Sequence, residues 1–313
     1  MKRVILLLII FNSFQIVTAQ YTEIINSKRP GFSESPYGVG TDVFQFETGL
    51  FYRSSNNQSI LARPATYGGE LFFRYGKFLE KLEFDAKIAY QNDEVKSPFG
   101  LNYNIYGLSE LTLGAKYLIY QKEYTDKSKE IRSWKRRTSF DKKRLIPSVG
   151  VYAGVHTNFL GNDYKDSGIS YKAAVLLQND FSDRLVLITN IIADKITSDE
   201  NFYSYILTMT YAINERWSYF IENQGIFNKT NPTKFHFGTG TAYLFSQNLQ
   251  IDASIRTNFF EDYSFLYSSV GLAWRLDKHS DEIIKKNSPL DQLTKKRKRK
   301  KRGNFFSRLL KKN

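Results

Sequence analysis

The sequence repeats one pattern along most of its length, and this pattern constrains the fold more than any other feature. Apolar and polar side chains alternate in segments of about ten residues, the length of a tilted membrane-spanning strand. In the clearest segment, 82–90, apolar residues occupy the even positions, and Glu83, Asp85 and Lys87 lie between them. Successive side chains of a β-strand point to opposite faces, so such segments predict strands with one apolar and one polar face.

About twelve such segments follow one another, each long enough to cross a membrane as a strand. Short connections alternate with longer polar ones, so all the tight turns fall on the same side. One connection on that side, 121–144, is long instead of tight. This parity predicts a single antiparallel transmembrane β-barrel over 43–276, with periplasmic turns and external loops. We place the strands near 43–53, 66–76, 81–91, 108–120, 145–159, 170–180, 183–193, 202–213, 216–228, 233–245, 248–260 and 264–276.

A periplasmic or secreted β-sandwich is the competing all-β architecture, because its strands alternate in the same way. Sandwich strands usually run ~5–6 residues, about half the length of the segments seen here. The tight turns on one side also favour the barrel. We therefore predict an outer-membrane location in a Gram-negative cell, with membrane lipid around the barrel.

The N-terminus has the features of a secretory signal peptide. Lys2 and Arg3 precede a short apolar run, and Ala19 is a small residue at the predicted cleavage site. A buried first strand or a membrane anchor is the alternative for 1–19. The following segment, 20–42, contains two X-Pro steps and is too irregular for a strand. We predict that it folds into the periplasmic mouth as a plug, with Arg29 and Glu34 inside and Arg29 against lumen acids such as Glu47; a disordered leader is the alternative.

Two segments hold the excess positive charge of this chain, whose net charge is +14. Residues 277–313 contain 14 Lys or Arg against 4 Asp or Glu, and residues 121–144 contain 10 against 4. Both segments map to the periplasmic side. The tail includes eight consecutive cations, Lys295 to Arg302, for which we predict binding to anionic inner-leaflet lipid or to an acidic periplasmic partner. A solvated tail without a partner is the alternative, and export argues against nucleic acid.

If the apolar faces meet lipid, the polar faces line the interior. Acids and bases on these faces are nearly equal in number, which predicts internal ion-pair ladders and no strong ion selectivity. Ion pairs that only stabilise a narrow barrel are the alternative to solute-binding groups. The predicted pore-lining residues are Glu47, Glu70, Arg74, Glu83, Asp85, Lys87, Glu110, Lys116, His156, Lys172, Glu222, His236, Asp252 and Arg256, with Arg275 also inward.

The sequence predicts no catalytic residue, no metal site and no cofactor. Cysteine is absent and there are 3 histidines, and neither a Gly-x-Ser-x-Gly elbow nor a His-Glu-x-x-His motif occurs. A barrel lipid hydrolase nevertheless stays open as a hypothesis. Finding His156 or His236 beside an inward Ser or Asn at the lipid boundary would favour it.

Several blocks resemble a known outer-membrane family. They are the segment 25–36, the pair of Arg74-Tyr75-Gly76 with Lys81-Leu82-Glu83-Phe84, the strand 106–117 (YGLSELTLGAKY), and the turns at 181–185 and 213–217. In order and spacing they are similar to the family described as putative MetA-pathway of phenol degradation. Lys28 stands where that family often has Asp, and the segment 121–144 and the basic tail also depart from its pattern.

The resemblance implies an outer-membrane barrel that acts as a transporter or channel, and it supplies no catalytic residues. The function we predict is passive movement of a small, aromatic or apolar, solute. One alternative is a structural anchor that presents the polybasic tail to a partner or membrane. The other is the lipid hydrolase.

Overall fold

The chain forms a closed barrel of twelve antiparallel strands, as the alternation predicts. In this computed structural model, residues 24–57, 63–96, 102–122, 141–165, 168–198, 200–229, 232–258 and 263–278 are described. Each strand pairs with its neighbours in sequence, and the first pairs with the last, which closes the sheet. A closed sheet leaves no strand edge unpaired, which a barrel in hydrocarbon requires.

From the fifth strand onward, longer and shorter connections alternate along the chain. In the described residues the helical elements are two single 3₁₀ turns, Lys142–Leu145 and Asn162–Tyr164, and no helix there could cross a membrane. The strands are β1 (Val43–Asn57), β2 (Arg63–Gly76), β3 (Leu82–Lys96), β4 (Tyr103–Tyr120), β5 (Ser148–His156), β6 (Ser170–Asp180), β7 (Leu185–Asp194), β8 (Phe202–Ala212), β9 (Trp217–Asn228), β10 (Lys234–Ser246), β11 (Leu249–Thr257) and β12 (Tyr263–Asp277).

The outer surface of the barrel is apolar and the inner surface carries the charges. In β12, Val270 and Trp274 are 58% and 43% exposed, whereas Ser269 and Arg275 are 6% and 3% exposed. This is the inverse of a water-soluble protein, which buries its aliphatic residues and exposes its charges. Such a surface is stable only against lipid, so the protein is an outer-membrane barrel.

The strands on one rim are longer than the alternation indicates. β1 and β2 extend to Asn57 and Arg63, and β3 and β4 extend to Lys96 and Tyr103, so the predicted loops 54–65 and 92–107 are shorter than expected. Beyond the membrane both faces of a hairpin meet water, and the sequence loses its alternation while the backbone ladder continues. The rim is lower at β5, whose last partner on β4 is Thr112.

Three predicted segments fall wholly or mostly outside the described residues. They are the signal peptide, most of the basic segment 121–144, and the tail with its polybasic run Lys295 to Arg302. Their proposed roles, including the binding of anionic lipid or an acidic partner, stay predictions.

Candidate functional site in the barrel lumen

Residues 24–42, called here the luminal segment, run through the interior of the barrel. The segment is anchored at both ends near the tight turns: the N–H of Ile25 donates to the carbonyl of Gln247 and the N–H of Asp42 to that of Gly76, each at 2.9 Å. Between these points its residues contact inward side chains of ten of the twelve strands. Because it is irregular, its backbone polar groups need partners from the barrel wall, and the wall supplies them.

Arg29 fixes the first part of the luminal segment. Its guanidinium donates to Glu70 on β2 and, at 3.2 Å, to Asp252 on β11. It lies in a notch of the wall at Gly49 and Gly271, which face each other across β1 and β12. A Cβ atom at either glycine would overlap the guanidinium, so the notch depends on the missing side chains.

Glu47 binds the backbone of the segment rather than the Arg29 side chain. Its carboxylate accepts hydrogen bonds from the N–H groups of Lys28 (3.0 Å) and Arg29 (3.2 Å) and from the Ser27 hydroxyl (2.9 Å). Arg74 lies 3.1 Å from the same carboxylate. The partners of the Arg29 guanidinium are therefore Glu70 and Asp252, which differs in detail from the pairing predicted above.

Glu34 fixes the middle of the luminal segment. Its carboxylate accepts from Lys116 at 3.0 Å and from Lys28 at 3.4 Å, and its backbone exchanges two hydrogen bonds with the Asn190 amide, at 2.6 and 2.8 Å. Burial alone would raise the pKa of the Glu34 carboxyl, but Lys116, Lys28 and Arg74 outweigh burial and hold its pKa below the ordinary value of 4.5.

Acidification is therefore expected to weaken the docking of this segment. A carboxyl whose pKa is lowered on folding contributes stability that is full above its unfolded pKa, near 4.5, and is lost as the pH falls toward the folded pKa. We expect the Glu34→Gln variant to lose less stability than the parent between neutral pH and about pH 3, since it lacks this proton-binding group. Urea unfolding of both proteins across that range measures the difference, and equal pH dependences would contradict the role given to Glu34.

Glu222 on β9 holds the turn that crosses the lumen. One carboxylate oxygen accepts from the N–H groups of Phe32 (2.9 Å) and Ser33 (3.2 Å) and from the Thr208 hydroxyl (2.7 Å), and the other accepts from Arg256. The Arg256 guanidinium also lies 3.3 Å from the centre of the Phe32 ring, a cation–π contact. The backbone of Phe32 and Ser33 and the Phe32 ring are thus both held by the Glu222–Arg256 pair on the barrel wall.

Four predicted inward residues form a buried network beside Glu34. Glu83 accepts two hydrogen bonds from Arg74, at 2.8 and 2.9 Å, and lies 3.1 Å from Lys116. Asp85 accepts from the Tyr152 hydroxyl at 3.1 Å. Glu34, Glu83 and Asp85 come close enough together for a cation, but the Lys116 ammonium already pairs with Glu34 and Glu83. Within the described residues, the second carboxylate oxygen of Asp85 has no hydrogen-bond partner.

A second network lies nearer the other end of the barrel. Lys87 pairs with Glu110 at 2.7 Å, and the Thr112 hydroxyl donates to the same carboxylate at 3.2 Å. His156 lies between the Thr112 hydroxyl, at 2.7 Å, and Asp194, at 2.6 Å. The sequence analysis did not single out Thr112 or Asp194.

Lys172 and the remaining histidine complete the inner surface. Lys172 pairs with Asp194 at 3.0 Å, and His236 stacks on Phe265 with ring centres 4.2 Å apart. His156 and His236 both belong to the inner wall, away from the lipid boundary where a hydrolase would need one. The buried Thr112 beside His156 already donates to Glu110, so the hydrolase hypothesis gains no support.

Two cavities flank the luminal segment. The larger has a volume of about 790 Å³, within the usual range of a ligand pocket; the smaller, of about 240 Å³, is lined by Ile188, Thr210 and Phe220. Both cavities are lined by Lys28, Arg29 and Gly31 of the segment. The segment therefore divides the bore, and a solute must pass it to cross.

One wall of the larger cavity is apolar. It consists of inward side chains from β6 to β9, namely Ala174, Leu176, Ile192, Ile206 and Ile226. The opposite wall carries the charged residues of β2, β3 and β4. The polar lumen expected from sequence thus describes only part of the inner surface, because Ala174 and Leu176 of β6 and Ile192 of β7 are apolar residues on the inner face.

The family model described as "Putative MetA-pathway of phenol degradation" matches residues 27–276, which is most of the chain and includes most of the luminal segment and, apart from Asp277, the twelve strands. No curated protein matches the sequence.

Several solved barrels are similar in fold. An outer-membrane channel from Pseudomonas putida F1 superposes with a TM-score of 0.56 at 7% identity, covering 80% of this chain and 100% of that one. The KdgM porin, in complex with disordered oligogalacturonate, gives 0.46 at 9% identity, with 73% and 99% covered. The translocator domain of the autotransporter NalP from Neisseria meningitidis gives 0.46 at 11%, with 76% and 89% covered. At 7% identity, the superposition with the Pseudomonas putida channel shows a shared fold.

Proposed function

Because the chain belongs to the family described as "Putative MetA-pathway of phenol degradation", we propose that it is an outer-membrane channel for passive movement of a small aromatic or apolar solute. The observation that carries the proposal is the larger cavity, which lies inside a closed barrel and offers an apolar wall to a solute. A barrel that served only as an anchor would have no need of apolar side chains facing its own lumen.

The path runs between the luminal segment and the β6–β9 wall. A solute leaving the larger cavity along Ile206 next meets Thr208 and Phe220, which line the smaller cavity. The turn at Gly31 and Phe32, held by Glu222, lies between the two cavities. An apolar group can slide along this wall without losing hydrogen bonds to water, so the wall lowers the free energy of a partly apolar solute in the bore.

Uptake of matched neutral solutes by vesicles containing the purified protein tests the proposal. Phenyl glucoside and methyl glucoside both cross pure lipid poorly and differ in their apolar group. Relative to methyl glucoside, we expect phenyl glucoside to enter faster than its larger size alone would allow. In the double variant Ile192→Thr, Ile206→Thr, we expect the ratio of the two uptake rates to fall about fivefold, which corresponds to a loss of ~1 kcal/mol of apolar contact.

The control variant is Ile191→Thr, Leu207→Thr, which makes the same kinds of change one residue away on the outer face, where Ile191 and Leu207 are exposed. It should leave the ratio of the two uptake rates unchanged. The proposal fails if neither glucoside enters faster than in protein-free vesicles, or if both double variants behave alike.

A further inference from the structure

The charges that line the larger cavity are not equally accessible from it. We infer that the solute is a small amphipathic anion, with an aromatic or aliphatic body and a carboxylate or similar acidic group, and that Lys172 and Lys87 receive the anionic end. The inference rests on the proposed channel function and names its solute class. Three observations carry it: exposure, hydrogen-bonding capacity and the position of Lys172.

The formal charges around the larger cavity predict little preference between anionic and cationic solutes. Seven Lys or Arg and six Asp or Glu line the cavity, the near balance from which the sequence predicts no strong ion selectivity. Exposure breaks this balance. The side chains of Lys87 and Lys172 are 31% and 23% exposed, whereas those of Glu47 and Asp194 are 0% and 11% exposed.

Hydrogen-bonding capacity points the same way. An ammonium group has three donor protons, and Lys172 uses one toward Asp194 while Lys87 makes one short contact, to Glu110. The carboxylates paired with these lysines, Glu110 and Asp194, have a partner on each oxygen. Both oxygens of Glu110 accept a hydrogen bond, from Lys87 and Thr112, and this matters because Glu110 is as exposed as the lysines, at 28%.

Asp194 has partners on both oxygens as well. One of its oxygens accepts from His156 and from the backbone N–H of Lys195, and the other lies 3.0 Å from Lys172. Lys87 and Lys172 therefore keep donor protons for the cavity, whereas every oxygen of Glu110 and Asp194 already has a partner, which favours an anionic acceptor. A cationic solute would find the neighbouring carboxylates already occupied.

The position of Lys172 connects this capacity to the apolar wall. Lys172, Ala174 and Leu176 are consecutive inward residues of β6, and Ala174 pairs with Ile192 of β7. Residues two apart on a strand lie about 7 Å apart, within the length of a small aryl acid. A molecule whose ring lies on Ala174 and Ile192 can therefore present its acidic group to Lys172.

Permanently charged aryl solutes test the inference in vesicles containing the full-length protein. We expect benzenesulfonate to enter about fivefold faster than phenyltrimethylammonium, the ratio for a partly exposed charge interaction. The Lys87→Gln, Lys172→Gln variant should lose this preference and keep the uptake of phenyl glucoside. Lys195→Gln, in the β7–β8 connection, is the matched control and should behave like the parent.

The outcomes separate the inference from the channel function. Equal entry of the two charged solutes, or an unchanged preference in the Lys87→Gln, Lys172→Gln variant, would overturn the inference while leaving the channel intact. Absence of uptake for every aryl solute, including phenyl glucoside, would instead remove the proposed function. A preference for benzenesulfonate over methanesulfonate at equal charge would support the apolar wall as the second half of the site.

Discussion

Deletion of residues 24–39 is expected to raise the single-channel conductance of the reconstituted protein several-fold. These residues include Arg29, Glu34 and the turn at Phe32, which together cross the lumen and separate the two cavities. Without them the bore is limited only by the inward side chains of a twelve-stranded barrel. The strands stay paired through their own ladder, so the barrel itself is retained.

Single substitutions that loosen the same segment are the matched comparison. Arg29→Gln removes the charge that pairs with Glu70 and Asp252 but keeps the length of the segment. It should increase open-channel noise and raise conductance less than the deletion does. If the deletion variant conducts no more than the intact protein, the luminal segment does not obstruct the path.

Lys116→Met is expected to cost ~3–5 kcal/mol of unfolding free energy, the range for removing one partner of a buried ion pair. Lys116 is 1% exposed and is the shared partner of Glu34 and Glu83. Its loss leaves two buried carboxylates with less compensation. Urea unfolding in detergent or lipid vesicles, followed by tryptophan fluorescence, measures the change.

Lys195→Met is the control, because Lys195 pairs with the mostly exposed Glu200 and such surface pairs contribute ~0–1 kcal/mol. The double variant Lys116→Met, Glu34→Gln should recover part of the loss, since it also removes one of the stranded charges. A Lys116→Met protein as stable as the Lys195→Met control would show that the network does not hold the luminal segment in place.

The features that sequence could predict are those that repeat. Period-two alternation located all twelve strands, and it assigned Glu83, Asp85 and Lys87 to one face of β3 because a polar residue faces away from lipid wherever its neighbours are apolar. The same logic gave Glu222 on β9 and Arg256 on β11, which the structure brings together.

The features that sequence could not predict depend on closure or on irregular chain. Asn190 lies in a strand that is apolar on both sides, so no alternation marks it as the partner of Glu34. The notch for Arg29 requires Gly49 and Gly271 to be neighbours across the β1–β12 seam, and only the register of the closed barrel brings them together. The path of the luminal segment follows from its contacts with the wall and has no periodicity to reveal it.

Each strand is inferred to touch lipid with the residues of one face and to enclose the lumen with the residues of the other face. The chain contains no cysteine, so single cysteines placed in turn at residues 266–270 and 272–274 of β12 can each carry one nitroxide spin label, leaving the Gly271 notch intact. The measurement is the collision rate of each label with oxygen, which concentrates in lipid, and with a water-soluble nickel chelate. We predict that labels at Leu266, Val270 and Trp274 collide with oxygen, and that labels at Tyr267, Ser269 and Ala273 are shielded from it. Equal access of the nickel chelate to both sets, or oxygen collisions without a two-residue period, would contradict the barrel's place in the membrane.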